Sequence, residues 1–289
     1  MQIVGNIVVL ASLYCLICCG YVLIYRASRV LNLAHGEMMT LGGYFLFTVI
    51  LAGAGSPIAS LGIALVLSLL LGFAVYFFLM RFLTGESVLA AVLVTVALGI
   101  FLRGLITLGW TSQSWHPLER MHVENATVYL FGNAAISTFG IAAVVSVVVV
   151  YAVLFGCLKF TRWGLRMRAV GEKPLLAAQR GIDLHWYYAL AWAISAFTAG
   201  LAGIIMACDS GLYPNMVVIA LSAFPVVLVG GLDSLVGVIP GAFVVAAVQV
   251  AAITISPQAS EVAPFVVLLG MLLIRPWGLF GTKEEWERV

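Results

Sequence analysis

The stretch Ile141-Ala142-Ala143-Val144-Val145-Ser146-Val147-Val148-Val149-Val150-Tyr151-Ala152-Val153-Leu154-Phe155-Gly156-Cys157-Leu158 holds no charge and is almost continuously apolar. A helix needs about 20 such residues to cross a bilayer core. A membrane β-strand would instead alternate apolar and polar side chains. This run does not alternate, so it reads as a spanning helix.

The rest of the chain is of the same kind. Of its 289 residues 63% are hydrophobic and only 9% charged. Soluble domains are about 45–50% apolar and about 25% charged, and a globule's surface needs that charge. The composition excludes a soluble enzyme, a disordered chain and, at a net charge of +2, a basic nucleic-acid binder. An all-α, polytopic transmembrane bundle of about eight to ten segments is expected on the bilayer scale. The chain reads as one membrane domain, residues 1–289, with no internal repeat evident. The first apolar run is long enough to span by itself and lacks a basic leader, so it is not read as a secretory signal.

Runs and breakers place nine segments near 6–25, 36–53, 59–80, 88–109, 134–158, 187–207, 217–231, 235–255 and 262–274. The seventh is short and ends in Gly230-Gly231, as a broken but crossing helix would. Loop charge sets the orientation. With the N-terminus outside and the C-terminus inside, twelve of the fourteen basic residues fall inside: Arg26, Arg29, Arg81, six between Lys159 and Arg180, Arg275, Lys283 and Arg288. Arg120 falls outside, and Arg103 lies within the fourth segment.

A charge in the hydrocarbon region costs about 2.5–3.5 kcal/mol on insertion scales. Glu37 follows Asn32 and His35 at the start of the second segment. Asn32 is placed to cap that helix, and Glu37 suits its positive end. The three either tie the first two segments together by buried hydrogen bonds or belong to the substrate route. Two residues apart, His35 and Glu37 do not share a helix face, which argues against a metal site. Three roles are open to Arg103: snorkelling outward, pairing with an acid, or facing an aqueous path. Gly230, Gly231, Ser234, Gly237, Pro240 and Gly241 form a dense small-residue block that suits close helix packing or a helix break. The five cysteines (Cys15, Cys18, Cys19, Cys157 and Cys208) read as small packing residues.

Several chemistries are missing. There is no phosphate-binding P-loop, no Gly-x-Ser-x-Gly elbow and no His-Glu-x-x-His zinc helix. The histidines, His35, His116, His122 and His185, are dispersed, so no metal is expected. The inner loop carries a short helix. Pro174 suits its first turn, Leu175, Leu176, Ala177 and Ala178 continue it, and Gly181 stops it before Ile182. That helix either lies on its own bundle or meets a soluble partner.

The blocks Asn32-Leu33-Ala34-His35-Gly36-Glu37 with Leu41-Gly42-Gly43-Tyr44, Arg168-Ala169-Val170 with Ala177-Ala178 and Gly181-Ile182, Gly230-Gly231-Leu232-Asp233-Ser234 with Gly237 and Pro240-Gly241, and Pro276-Trp277-Gly278-Leu279-Phe280-Gly281 occur in this order. Together they resemble the smaller permease subunit of branched-chain amino-acid-type ABC importers. Asp233 departs from the family's small residue, and the Glu of the coupling pattern is displaced to Glu172.

The resemblance implies a permease forming half of a path for branched-chain or related amino acids, in a bacterial inner membrane. It implies a second permease, two cytoplasmic ATPases that bind the ATP, a periplasmic binding protein, a small-molecule substrate and surrounding membrane lipid, with no nucleic acid and no cofactor in this chain. The coupling element would comprise Glu172, Pro174, Ala177, Ala178, Gly181 and Ile182. The rivals are an ion-coupled secondary transporter, an ABC permease for urea or another small polar solute, and a membrane enzyme using His35 and Glu37.

Overall fold

The computed structural model describes residues 1–53, 56–111, 113–121, 123–130 and 134–282. Its elements are α1 (Gln2–Ser28), α2 (His35–Leu51), α3 (Pro57–Phe78), α4 (Val88–Trp110), α5 (Pro117–Met121), β1 (Thr127–Leu130), β2 (Ala134–Ser137), α6 (Thr138–Phe160), α7 (Arg162–Glu172), α8 (Pro174–Gln179), α9 (Leu184–Ser210), α10 (Val217–Gly230), α11 (Leu235–Ile253) and α12 (Pro257–Ile274). Seven of these, α1, α3, α4, α6, α9, α11 and α12, are long and apolar enough to cross a membrane. The shorter α2 and α10 lie where the second and seventh segments are expected.

Hydroxyls and one carboxylate mark where helices begin. Ser56, Ser87, Ser137, Asp183, Ser234 and Ser256 each accept a hydrogen bond from a backbone N–H in the first turn of the helix that follows. Such a cap satisfies a donor with no partner inside the helix. The fifth segment begins at Thr138 rather than at 134, because 134–137 pairs antiparallel with 127–130 as a hairpin. Val128, Tyr129 and Ile136 give that stretch the same apolar signal as the helix after it.

The two ends of the bundle are defined by contacts. At one end Gln2 exchanges hydrogen bonds with the backbone of Ala135 (2.9 and 2.8 Å). There too Trp110 donates to Thr48 (2.8 Å), and Trp115 pairs with Leu212. At the other end α7 packs on the last turn of α1, and the Leu279 and Phe280 N–H groups donate to Val229 and Gly230. Ten of the basic residues assigned inside gather at this second end; Lys283 and Arg288 lie outside the described residues.

The deepest helices are α1 and α9. Small residues line α9, so neighbours come close: Gly200 abuts Gly42 and Ser68, and Gly203 abuts the Met39 carbonyl. This is how membrane helices gain packing where burial alone offers little drive.

One plan occurs twice, although no repeat was evident in the sequence. A 27-residue helix crosses (α1, α9), six residues turn back (29–34, 211–216), and a short helix begins partway through (α2, α10). The copies run in opposite directions. Helix α11 packs on α1 as α3 packs on α9. The repeat lies in backbone direction and helix length, which no residue pattern has to mirror.

Candidate functional site

Two polar regions emerge, one deep in the bundle and one at its basic end. The deep one is the start of α2. His35 Nε2 lies 2.9 Å from the Ile17 carbonyl, and Nδ1 lies 3.4 Å from the Ser195 hydroxyl. Ile17 is eleven residues before the end of α1, and Ser195 is eleven after the start of α9. Both therefore sit about 16 Å from the basic end at 1.5 Å per residue. Helix α2 thus starts near mid-membrane. Helix α10 starts beside it, since Gly36 abuts Val217 and Ala220.

Residues 29–34 run from the basic end to this depth without helical structure, so their backbone needs partners. Leu33 N–H donates to Thr95 (3.1 Å). Asn32 Oδ1 accepts from Ala34 N–H (3.0 Å). Asn32 is therefore not the helix cap expected of it: Ala34 holds that position, and Asn32 instead closes the turn before it. His35 is wholly buried, with its ring on Tyr21 at 4.3 Å. Its bonds tie α2 to α1 and α9.

Glu37 faces the other way. Its carboxylate lies 3.8 Å from the Arg103 guanidinium; the side chains are 12% and 51% exposed. Gly99 on α4 leaves room for the Glu37 carboxylate. Arg103 is seven residues from the end of α4, about 10 Å of helix, and turns to the acid rather than outward. The structure thus sets Arg103 beside Glu37 while leaving it half exposed. A half-exposed arginine at this depth would be costly against lipid tails.

The second region follows α6. Thr161 caps α7 by accepting from Gly164 N–H (3.2 Å). This amphipathic helix buries Met167 and Val170, and Gly171 rests on the Arg26 carbonyl. Helix α7 is not among the expected elements; its signal in the sequence is the apolar spacing of Met167 and Val170 among arginines. Pro174 opens α8, and Gly181 ends it with φ of 76°, a conformation glycine adopts freely. Ile182 N–H returns to the Ala177 carbonyl (3.1 Å). Ala177 is buried while Leu175 and Leu176 are 80% and 53% exposed. The proposed coupling residues thus lie together on α8 and its turn, except Glu172. It ends α7 and lines a basic cavity instead.

The glycine block packs α10 against α11. Gly230 and Gly237 meet backbone to backbone, and Gly241 touches Gly230. Ser234 caps α11, and Pro240 sits inside it without ending it. Asp209 accepts from Asn125 (3.1 Å), and Asp233 is held by Thr282. Four cysteines are buried and all five are free thiols. Among the described residues no group of His, Cys, Asp and Glu could hold a metal; His122 lies outside them.

Comparison with known proteins adds sequence kinship to this geometry. The family described as "Branched-chain amino acid transport system / permease component" matches residues 3–275. The probable branched-chain amino acid transport permease protein LivH of Methanocaldococcus jannaschii is 26% identical over 100% of this chain and 94% of its own. The high-affinity branched-chain amino acid transport system permease protein LivH of Escherichia coli K12 is 26% identical over 100% and 97%. The autoinducer 2 import system permease protein LsrC of Salmonella paratyphi B is 25% identical over 85% and 70%. The chain therefore belongs to the family of branched-chain amino acid transport system permease components, as a multi-pass transport protein of the plasma membrane rather than an enzyme.

Proposed function

We propose that this chain forms half of the translocation path of an ATP-driven importer for branched-chain or related amino acids. Relatives named for branched-chain amino acids match the whole chain, whereas the autoinducer 2 permease matches less of it. That favours an amino acid over urea or another polar solute. The reading includes a second permease, two ATPases that bind the ATP at the basic end, and a binding protein that delivers substrate at the other. The excess of Lys and Arg at one end supports placing that end in the cytoplasm.

The observation that carries the proposal is α8. A six-residue helix with two exposed leucines, clamped by a proline and a left-handed glycine, has the form of a knob for a soluble partner. Closure of the ATPase pair would push α8, and α7 would pass that push to α1 and α6 as a rigid-body shift. Glu37 and Arg103 would face the path, where water and substrate offset the cost of their charge.

Uptake of labelled leucine by proteoliposomes holding the assembled transporter tests this. Uptake should require ATP and survive an uncoupler. Gly181→Arg should abolish it while the chain still inserts, because a Cβ there meets open space and adds only about 1–2 kcal/mol of backbone strain. Undiminished uptake in that variant would remove the docking assignment. Uptake that collapses with the uncoupler yet ignores ATP depletion would mark a secondary transporter.

A further inference from the structure

Helix α1 packs against both α6 and α11, and between those two it floors a groove. Where α1 and α6 end, the groove widens into a cavity of about 590 Å³. Arg26, Arg29, Lys159 and Arg168 stand around it against Glu172 and Asp233. Among the described residues, Arg26, Lys159 and Arg168 face Glu172 and Asp233, and Asp233 is engaged by the Thr282 N–H and hydroxyl. The Lys159 ammonium rides over the Phe155 and Phe160 rings at 5.4 and 5.5 Å, which holds it at the mouth.

Toward the membrane interior lies a second cavity of about 250 Å³ with wholly apolar walls, Tyr151, Ile239 and Cys19 among them. Phe155, Leu235 and Val236 line both cavities, so the two are chambers of one site. Tyr151 is nine residues before the end of α6, about 14 Å down the helix. The charged chamber is thus at headgroup level and the dry chamber at acyl-chain level.

We propose that this groove binds one anionic phospholipid, with its phosphate among Arg26, Lys159 and Arg168 and an acyl chain along Phe155, Val236 and Ile239. Basic pockets between helices at the membrane surface suit such headgroups. A soluble anion would leave the dry chamber unfilled. The surface of a soluble partner cannot reach below headgroup level. Only a molecule with a charged head and a hydrocarbon tail satisfies both chambers.

The test is native mass spectrometry of the full chain in detergent, titrated with phosphatidylglycerol or phosphatidylcholine. One phosphatidylglycerol should bind well ahead of phosphatidylcholine. Lys159→Ala with Arg168→Ala should weaken it about thirty-fold, the effect of two charges near an anionic headgroup. Both side chains are exposed, so the fold should persist, as a melting curve would check. Ala152→Trp, which fills the dry chamber, should weaken phosphatidylglycerol but not glycerol phosphate. Equal binding of the two lipids, or no effect of either variant, would overturn the proposal. So would binding of glycerol phosphate as tight as that of the lipid, since it would make the site one for a soluble anion.

Discussion

The start of α2 and the helix α8 both interrupt the succession of long membrane helices, yet they are built in opposite ways. At α2 the polar groups turn inward: His35 spans to α1 and α9, Leu33 to α4, and Asn32 closes its own turn. At α8 the backbone is closed on itself and its two leucines face out. The first costs free energy if any partner is lost, because a buried polar group without a partner is penalised. The second has little to lose from substitution and much to lose if its partner is blocked. Damage at the first should therefore read out as unfolding, and damage at the second as uncoupling.

The largest effect is expected where backbones touch behind α2. Gly203→Leu has no room against the Met39 carbonyl. Rigid backbone cannot repack, so a loss of about 3 kcal/mol or more is expected, and size-exclusion chromatography should recover almost no monodisperse protein. His35→Ala comes next. It removes the ring that ties α1, α2 and α9, and should cost about 2 kcal/mol, seen as a lowered melting midpoint with uptake falling in proportion. If uptake vanished while the midpoint stayed put, His35 would be a transport residue and the contrast with α8 would break.

A smaller effect is expected from the Glu37–Arg103 pair. Arg103 is half exposed, so a double-mutant cycle with Glu37→Gln and Arg103→Gln should return a coupling of at most about 1 kcal/mol in stability. Substrate affinity should shift more than stability, if the pair faces the path. The smallest stability change is expected from Leu175→Asp with Leu176→Asp, within about 0.5 kcal/mol. ATP-driven uptake should nonetheless fall at least about tenfold there. A melting midpoint lowered as far as that of His35→Ala would mean that α8 is part of the core.

Much of this was legible in the sequence because a bilayer accepts few solutions. Continuous apolar runs gave nine segments, and Pro174 with Gly181 bounded α8 to within two residues. The start of α2 was legible as polar but not as deep. Depth is set by where residues 29–34 turn back, and that turn is fixed by Thr95, Ile17 and Ser195 on three other helices. The partnership of Glu37 with Arg103 was invisible for the same reason: 66 residues separate them, and Gly99 makes room without any charge of its own. The inverted repeat of long and short helices left no mark in residue pattern. Helix α7 was masked by its arginines, whose charge outweighed the spacing of Met167 and Val170.

Leu175 on α8 and Leu273 on α12 are almost equally exposed, at 80% and 87%, but Leu175 would face a soluble partner and Leu273 the lipid. The most direct test is a photo-activated cross-linking side chain at each position in the assembled transporter, in its membrane. A covalent adduct with the ATPase is expected from position 175 and none from position 273, with the adduct at 175 changing in yield when ATP is added. Adducts with lipid alone from position 175, or ATPase adducts of equal yield from both, would contradict the claim that α8 is where this permease meets its motor.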